Sequence, residues 1–447
     1  MLFSDEWIPV YNIGNNTLNH LDMVRLIEEF PGPVVLHDVV LQHLAASWLY
    51  EDVESDFAYV AAMLKSYGEK ALSPLRHFGL LGGNRTRRGL WDSAVAVDFP
   101  LIGAAIGDAP LVIVHSEYSK RLVAREFSGP IRKLRLPFNA AKHRADFDDA
   151  AQWKQQLLSK KKLRITAFGY VSRNKKLELL LMALAETPQL LAGVEVIIAG
   201  RCQDHGYREA LVNFADSYGI SESLRFEFDI GHARAKQLLD ETDIFYNYRS
   251  IFTEGASASL LEQMGTGRPV VVADGGSYEE LPPRTVYKLP LLVDSTEVGR
   301  RLLDIVGDKH ELAKVGAAGR EYARGYGDVE YAKDVLNSLQ GFDGSKPRVA
   351  SGDAKRGASL SEVAKHDPLA LGPSLALNGT PEVLRMWICF TLGVQDTDKS
   401  TAVIDGLLEE QSRKSIWLAH SNLRLRLMEG DRFLQDPNND VWPHPCS

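Results

Sequence analysis

The sequence predicts an α/β protein built on parallel sheets, and three observations carry that expectation. From residue 163 onward, short apolar runs alternate with amphipathic helical stretches: "LRITAFG", "VEVIIAG", "LRFEF", "DIFYNY" and "PVVVAD" each precede or follow a helix-length segment. Two further strand, loop and helix units stand earlier, at "GPVVLHDVVLQHLAASWLY" and "APLVIVHSEYSKRLVAREF". The composition is that of an ordinary globular chain, 45% hydrophobic and 25% charged over 447 residues, which is long enough for two or three domains each burying its own core. Strands joined through helices run parallel by right-handed crossovers, so the sheet is doubly wound and covered on both faces.

In the first early unit, Val34 to Leu36 reads as a short buried strand, His37 and Asp38 as a polar turn, and the rest as an apolar helix through Trp48. In the second, Leu111 to Val114 is the apolar run, and Ser116 caps a helix that continues through Lys120 and Arg121. His37 and His115 therefore both sit just past a strand end. Between the units, "GGNRTRRGLWD" is a Gly-rich basic loop whose arginines are either functional or merely solvated. The polar helical stretch "LRLPFNAAKHRADFDDAAQWKQQLLSKKK" suits a connection between domains, which places a boundary near residues 140 to 160 and divides the chain into 1–150 and 151–342.

The regular series then follows, with helices expected from about Asn174, His205, Ala233 and Ala256. Residues 343–356 fall in a stretch rich in Gly, Ser, Lys and Asp and form a linker, and 357–447 read as a small helical extension. No repeat of fixed period occurs, which argues against solenoids and propellers.

Several function classes are disfavoured at this level. A formal charge of -8 does not favour broad capture of nucleic acid, although a local basic cleft could still hold a phosphate. Cys202, Cys389 and Cys446 are few and far apart, so neither a disulfide framework nor a CxxC metal site is expected, and a reducing cytoplasm is the natural setting. No apolar run approaches the roughly 20 residues that cross a bilayer, which leaves peripheral contact with a membrane face open.

Chemistry in open parallel sheets collects at the carboxyl ends of the strands. At "FGYVSRNKKLELLLMAL", Gly169 closes a strand, and Ser172, Arg173, Asn174, Lys175 and Lys176 precede a helix. Cations beside free helix N–H groups suit a phosphate or diphosphate, and a solvated basic turn capped by Asn174 is the plain alternative. The segment has no GxGxxG and no GxxxxGK[ST], so no dinucleotide fingerprint or P-loop is expected. At "YNYRSIFTEGASASLLEQMGTGRPVVVAD", Tyr246 ends a strand, Arg249 lies in the loop, and Leu260, Leu261 and Met264 mark the buried side of a helix. Gly255, Ser257 and Ser259 leave room for a ligand to approach the backbone. Glu254 and Glu262 are at most ~12 Å apart along a helix, a reach suited to gripping two parts of one nucleotide sugar. The alternative is that Glu254 complements the helix dipole and Glu262 is solvated.

The order Arg249, Glu254, seven residues, Glu262 and then "GTGRPVVVADGGSYEELP" resembles the donor-binding signature of the family-four retaining glycosyltransferases of the GT-B fold. "FGYVSRNKKLELLL", "VEVIIAG" and "RFEFDIG" resemble that family's donor domain, and "YNIGNNTLNHLDMV", "PGPVVLHDVVLQHL" and "LVIVHSEYSKRLV" the acceptor domain of bacterial members. The resemblance spans roughly residues 10 to 340, and 163 to 282 carry most of its specificity. It implies two Rossmann-like domains, the first shortened at its start because the Gly-rich loop after its first strand has no counterpart.

Carried over residue by residue, the resemblance makes Lys175 the grip on the donor diphosphate with Arg249 beside it. Glu254 falls near the transferred sugar and Glu262 at the nucleotide ribose. Gly169, Arg173, Gly255, Ala256 and Ser257 complete the donor site, with Arg173 standing in for the family's arginine because Tyr170 follows Gly169 here. His37, followed by Asp38, is the preferred acceptor-side histidine, and His115 the other candidate. The implied reaction moves a sugar from a nucleotide diphosphate sugar to a hydroxyl of a glycan or glycolipid, with retention and without metal or cofactor, in bacterial polysaccharide or glycolipid synthesis. Such an enzyme would be cytoplasmic, with peripheral contact at the inner membrane face left open. A non-catalytic binding or scaffold protein on the same fold is the competing reading, and an epimerase or phosphorylase a third.

Overall fold

The computed structural model describes residues 9–50, 57–81, 89–138, 150–250 and 252–339. The core of the basic loop (82–88), the stretch 139–149 at the expected domain boundary, the linker, the helical extension, Cys389 and Cys446 lie outside the described residues. The described chain forms two compact units, 9–112 with 123–130, and 113–122 with 131–339.

The first sheet has strands β1 (Tyr11–Ile13), β2 (Val34–Leu36), β3 (Val112–Val114) and β4 (Ile131–Lys133), in the order β1-β2-β3-β4. β1 and β2 are parallel, with Tyr11 opposite Val34 and Ile13 opposite Leu36. The helices are α1 (Thr17–Glu29), α2 (Gln42–Tyr50), α3 (Phe57–Tyr67), α4 (Leu72–His77), α5 (Ile102–Ile106) and α6 (Glu117–Val123). β2 and β3 are buried along their whole length, which is why they read as unbroken apolar runs. Ser116 caps α6 as expected, its Oγ accepting the Ser119 amide at 3.0 Å. This order advances in one direction, one half of a doubly wound arrangement.

The second sheet is built from α7 (Ala150–Ser159), β5 (Leu163–Phe168), α8 (Leu177–Glu186), α9 (Pro188–Gly193), β6 (Val194–Gly200), α10 (His205–Ser217), β7 (Leu224–Phe228) and α11 (His232–Glu241). It continues through β8 (Ile244–Asn247), α12 (Ala258–Gly265), β9 (Val270–Ala273), β10 (Tyr287–Leu289), α13 (Ser295–Gly307), α14 (Lys309–Arg324) and α15 (Asp328–Leu339). The strand order is β10-β9-β8-β5-β6-β7, and every pairing is parallel. The chain moves outward from β5 through β6 to β7, then returns to the other side of β5 with β8. That reversal is the doubly wound order, and the crevice beyond the ends of β5 and β8 is its switch point.

Both faces of this sheet are covered. Val271 and Ala273 pack with Leu163, Ile165 and Val196 in one core, while Val270 and Val272 pack with Phe245 and Met264 in another. Alternate residues of one strand thus enter different cores, the physical reason that β9 is apolar at every position.

Two helix starts differ from the sequence expectation. The helix after β5 was expected from about Asn174, but Arg173–Lys175 form a 3-10 turn, Lys176 takes the left-handed conformation (φ +47°), and α8 begins at Leu177. The helix after β8 begins at Ala258, not near Ala256, because Ser257 is extended and caps it, its Oγ accepting the Leu260 amide at 3.4 Å. Both displacements lengthen the loops at the switch point.

Candidate functional site

The loop after β5 is set by two glycines. Gly200 ends β6 with φ +133°, and a Cβ there would lie 2.0 Å from the Gly169 carbonyl oxygen, so only glycine lets the ends of β5 and β6 approach this closely. Gly169 (φ +107°) donates its amide to the Ala199 carbonyl at 3.1 Å and turns the chain away from the sheet. The 3-10 turn that follows carries Lys175 inward. Its side chain is 4% exposed, and Nζ donates to the Phe168 carbonyl at 2.8 Å, across the end of β5.

The loop after β8 meets it. The Ser250 amide donates to the Asn174 carbonyl at 3.0 Å, tying the two loops together across the switch point. Arg249, 8% exposed, is ion-paired through Nη1 with Glu254 Oε1 and reaches Asn247 Oδ1 with Nε at 3.4 Å. Asn247 in turn donates to Gln263 Oε1 on α12 at 3.0 Å. Beside the pair is a small recess lined by Arg249, Phe252, Thr253, Glu254, Ser277 and Tyr278.

Two cations and one carboxylate therefore share a largely dry corner. Burial, and then the neighbouring Arg249 charge, pull the Lys175 ammonium down to about 7, against the opposing pull of Glu254. A second anion placed here would restore the full charge. The described groups leave the corner with an excess of positive charge, which suits a di-anionic group.

The remaining expected donor residues are placed as follows. Gly255 is held by its carbonyl, which accepts from Ser116 Oγ at 2.6 Å and Ser119 Oγ at 3.1 Å, all three within the second unit. Ala256 and Ser257 lead into α12, and Glu262 lies half-buried one turn further on. Arg173 does not join Lys175: its Nε donates to Asp204 Oδ2 at 2.8 Å, and its guanidinium lies over Tyr207 at 4.8 Å. Asp204 is also the cap of α10, accepting the Tyr207 amide at 2.8 Å, so its carboxylate is fixed in place and holds the Arg173 guanidinium there.

Of the two histidines expected on the acceptor side, His115 belongs to the second unit, where it is 7% exposed, donates Nδ1–H to the Leu134 carbonyl at 3.1 Å and rests against Tyr331. His37 belongs to the first unit, at the end of β2. Its Nε2 lies 3.2 Å from Asn12 Oδ1, while Asp38 Oδ2 accepts the Asn15 amide at 2.6 Å. His20, on α1, joins them through Nδ1, which donates to the Asn12 main-chain carbonyl at 2.9 Å.

Sequence reading missed Asn247, Tyr278, Asn12 and His20. Asn247 had a signal, a polar residue at the end of an otherwise apolar strand, "IFYN". His20 had none, since a lone histidine on a polar helix face is unremarkable.

No group of three or more His, Cys, Asp or Glu among the described residues has the arrangement of a metal site. The Asp-x-Asp triplets at 146–148 and 396–398 lie outside those residues. No helix among the described residues is long and apolar enough to cross a membrane.

The segment holding these loops, residues 149–284, matches the family model "Glycosyl transferases group 1". Residues 149–284 are thus similar to a group 1 glycosyltransferase domain. The segment runs from α7 through β9 and so contains the switch point, Lys175, Arg249 and both glutamates. No curated protein matches the chain. Among solved structures, HepE of Anabaena, in complex with UDP and glucose, is 16% identical over 74% of this chain and 99% of its own, with a TM-score of 0.48. Sucrose-phosphate synthase of Thermosynechococcus elongatus is 16% identical over 74% and 98%, with a TM-score of 0.47. The C-terminal domain of the group 1 glycosyltransferase LpcC of Francisella tularensis is 16% identical over 39% and 91%, with a TM-score of 0.33.

Proposed function

We propose that the protein is a GT-B glycosyltransferase that moves a sugar, with retention at the anomeric carbon, from a nucleotide diphosphate sugar to an acceptor hydroxyl. The observation that carries this reading is the meeting of buried Lys175 and Arg249 at the switch point of a group 1 domain.

The barrier to such a transfer is charge separation: the diphosphate leaves as a new anion while the sugar becomes oxocarbenium-like. Lys175 and Arg249 are already fixed by the Phe168 carbonyl, Asn247 and Glu254, so stabilising the anion needs little reorganisation. Two fixed cations can supply the charge that a metal supplies elsewhere, which supports a metal-independent reaction. Glu254, next to Arg249, would contact the sugar, and Glu262, further along α12, the nucleotide ribose. The Gly255 carbonyl, held by two buried serines, keeps Glu254 in register. Gly169, Ala256 and Ser257 would line the donor, and His37 with Asp38 would face the acceptor side.

The proposed acceptor is a glycan or glycolipid of bacterial surface synthesis, with the protein in the cytoplasm and in peripheral contact with the membrane. The test is a thermal-shift and calorimetric screen of nucleotide sugars, followed by product analysis with and without acceptor. Binding of at least one nucleotide sugar and its loss in Lys175→Ala are expected. No stabilisation by any nucleotide sugar would overturn the reading in favour of a non-catalytic protein, and epimerised product would replace transfer.

A further inference from the structure

The second unit holds a cavity at the end of its sheet opposite to the proposed donor site. β5, β8 and β9 are parallel, and the loops that carry Lys175 and Arg249 leave the carboxyl ends of β5 and β8. Residues 266–269, which lead from α12 into β9, arrive at the amino end of β9. α14 packs on this loop through Gly316, where a Cβ would lie 2.1 Å from the Gly267 carbonyl oxygen. Gly267 is itself left-handed (φ +80°), and a Cβ there would lie 3.4 Å from Arg320 Cδ, so the arginine stem runs over the turn. Ala313, Ala317, Arg320 and Arg324, at spacings of three and four, share one face of α14. The two alanines fill little of the space beside them. With Trp153 and Lys154 of α7, this face lines a cavity of about 470 Å³, within the roughly 300–1,000 Å³ of small-molecule sites.

Floor and rim differ in chemistry. Trp153 is fixed from behind: its indole Nε1 donates to Asp243 Oδ1 at 3.3 Å, and the Arg268 guanidinium lies 4.8 Å from its ring centroid. Beside it stand Ala313, Ala317 and Gly267, which make the floor apolar. The rim carries Lys154, Lys314, Arg320 and Arg324, with Glu321 as its one carboxylate. Lys314 is paired with Glu311 at 3.2 Å. The side chains of Lys154 and Arg320 have no hydrogen bond or ion pair among the described residues. Cations around a low-dielectric recess concentrate anions there. A bilayer face would meet this rim but leave the floor uncovered, so a single molecule fits the shape better.

We propose that this cavity binds a small organic polyanion, such as a phosphorylated metabolite, with its apolar body on Trp153, Ala313 and Ala317 and its charges at Lys154, Arg320 and Arg324. The inference is independent of the proposed transfer, because none of these residues belongs to the loops at the carboxyl ends of the strands.

Pyranine, a fluorescent aromatic trisulfonate, combines a flat apolar body with several charges and serves as the probe. Titrated into the full-length protein, it should bind at one saturable site and weaken as salt rises. Binding should persist in Lys175→Ala and in the presence of uridine diphosphate. Arg320→Glu and Lys154→Glu should each weaken it by about tenfold or more. Ala317→Leu keeps every charge but fills the cavity, and should abolish binding. Lys154 and Ala317 are exposed, so their variants should keep the urea unfolding midpoint. Inorganic tripolyphosphate, which has charge without an apolar body, should bind more weakly than pyranine. Unchanged pyranine affinity in Arg320→Glu and Ala317→Leu would overturn the inference, as would equal affinity for tripolyphosphate or displacement of pyranine by uridine diphosphate. Co-sedimentation with phosphatidylglycerol vesicles that Arg320→Glu abolishes, without pyranine binding, would overturn it in favour of a membrane surface.

Discussion

Arg249 and Glu254 form a buried-edge ion pair in the loop after β8, with Arg249 8% exposed and the Glu254 side chain 36% exposed. The pair gives the guanidinium a counter-charge in the ligand-free protein. On the proposed reading, a diphosphate arriving beside Lys175 would compete for the same guanidinium, so donor binding and Glu254 placement would be coupled.

Glu254→Gln separates these roles. Removing the competing carboxylate should leave affinity for the free nucleoside diphosphate unchanged or higher, while transfer falls by about 10²-fold or more, the scale of losing one transition-state contact. Calorimetry and turnover measured on the same preparation check this. Equal losses in both would assign Glu254 to nucleotide binding.

If Lys175 holds the donor diphosphate as proposed, binding should depend on pH. In the folded, ligand-free protein its ammonium titrates at about 7, below its ordinary value of 10.5. From pH 7 to about 10.5 the unfolded chain holds more protons, so this group's contribution to stability rises with pH, and below 7 the buried charge is carried at full cost. A bound diphosphate favours the charged lysine, so binding should take up protons above pH 7 and weaken by at most about tenfold for each further pH unit. Calorimetry in buffers of different ionisation enthalpy would detect the uptake, and Lys175→Met should abolish it.

Glu262→Ala tests the ribose assignment. Loss of a charge-assisted hydrogen bond of about 1.5–3 kcal/mol should weaken nucleotide affinity by roughly 10- to 100-fold, as calorimetry would show. Unaltered affinity would place Glu262 outside the nucleotide site.

Gly200 tests the scaffold beneath the site. Gly200→Ala must relieve a 2.0 Å approach to the Gly169 oxygen and adopt φ +133°. Such backbone strain costs on the order of 1–3 kcal/mol, and the clash adds to it. Urea unfolding should register the loss, and donor affinity should fall too, because the shifted backbone is the one that turns Lys175 inward.

Much of the second domain was legible because its strands are buried on both faces and its helices are short and amphipathic. "VEVIIAG" and "LRFEF" became β6 and β7 to the residue. The three-residue strands β1 and β10 offer too short a pattern to read. Arg173 illustrates the limit at the site. Its sequence position beside Lys175 suggested a shared ligand, yet Asp204, which is 31 residues away in sequence, holds it at 2.8 Å.

By itself, the sequence determined the alternation of strands and helices, the placement of cations and glutamates after strand ends, and the resemblance to a donor-binding signature. These are local properties, because periodicity and loop chemistry are written in neighbouring residues. Tertiary structure decided which loops meet. The reversal that puts β8 beside β5 unites Lys175 with Arg249 from 74 residues away, and parallel pairing in the first sheet brings Asn12 to His37. Long-range pairing depends on how whole sheets bury their faces, and no short stretch of the chain encodes it.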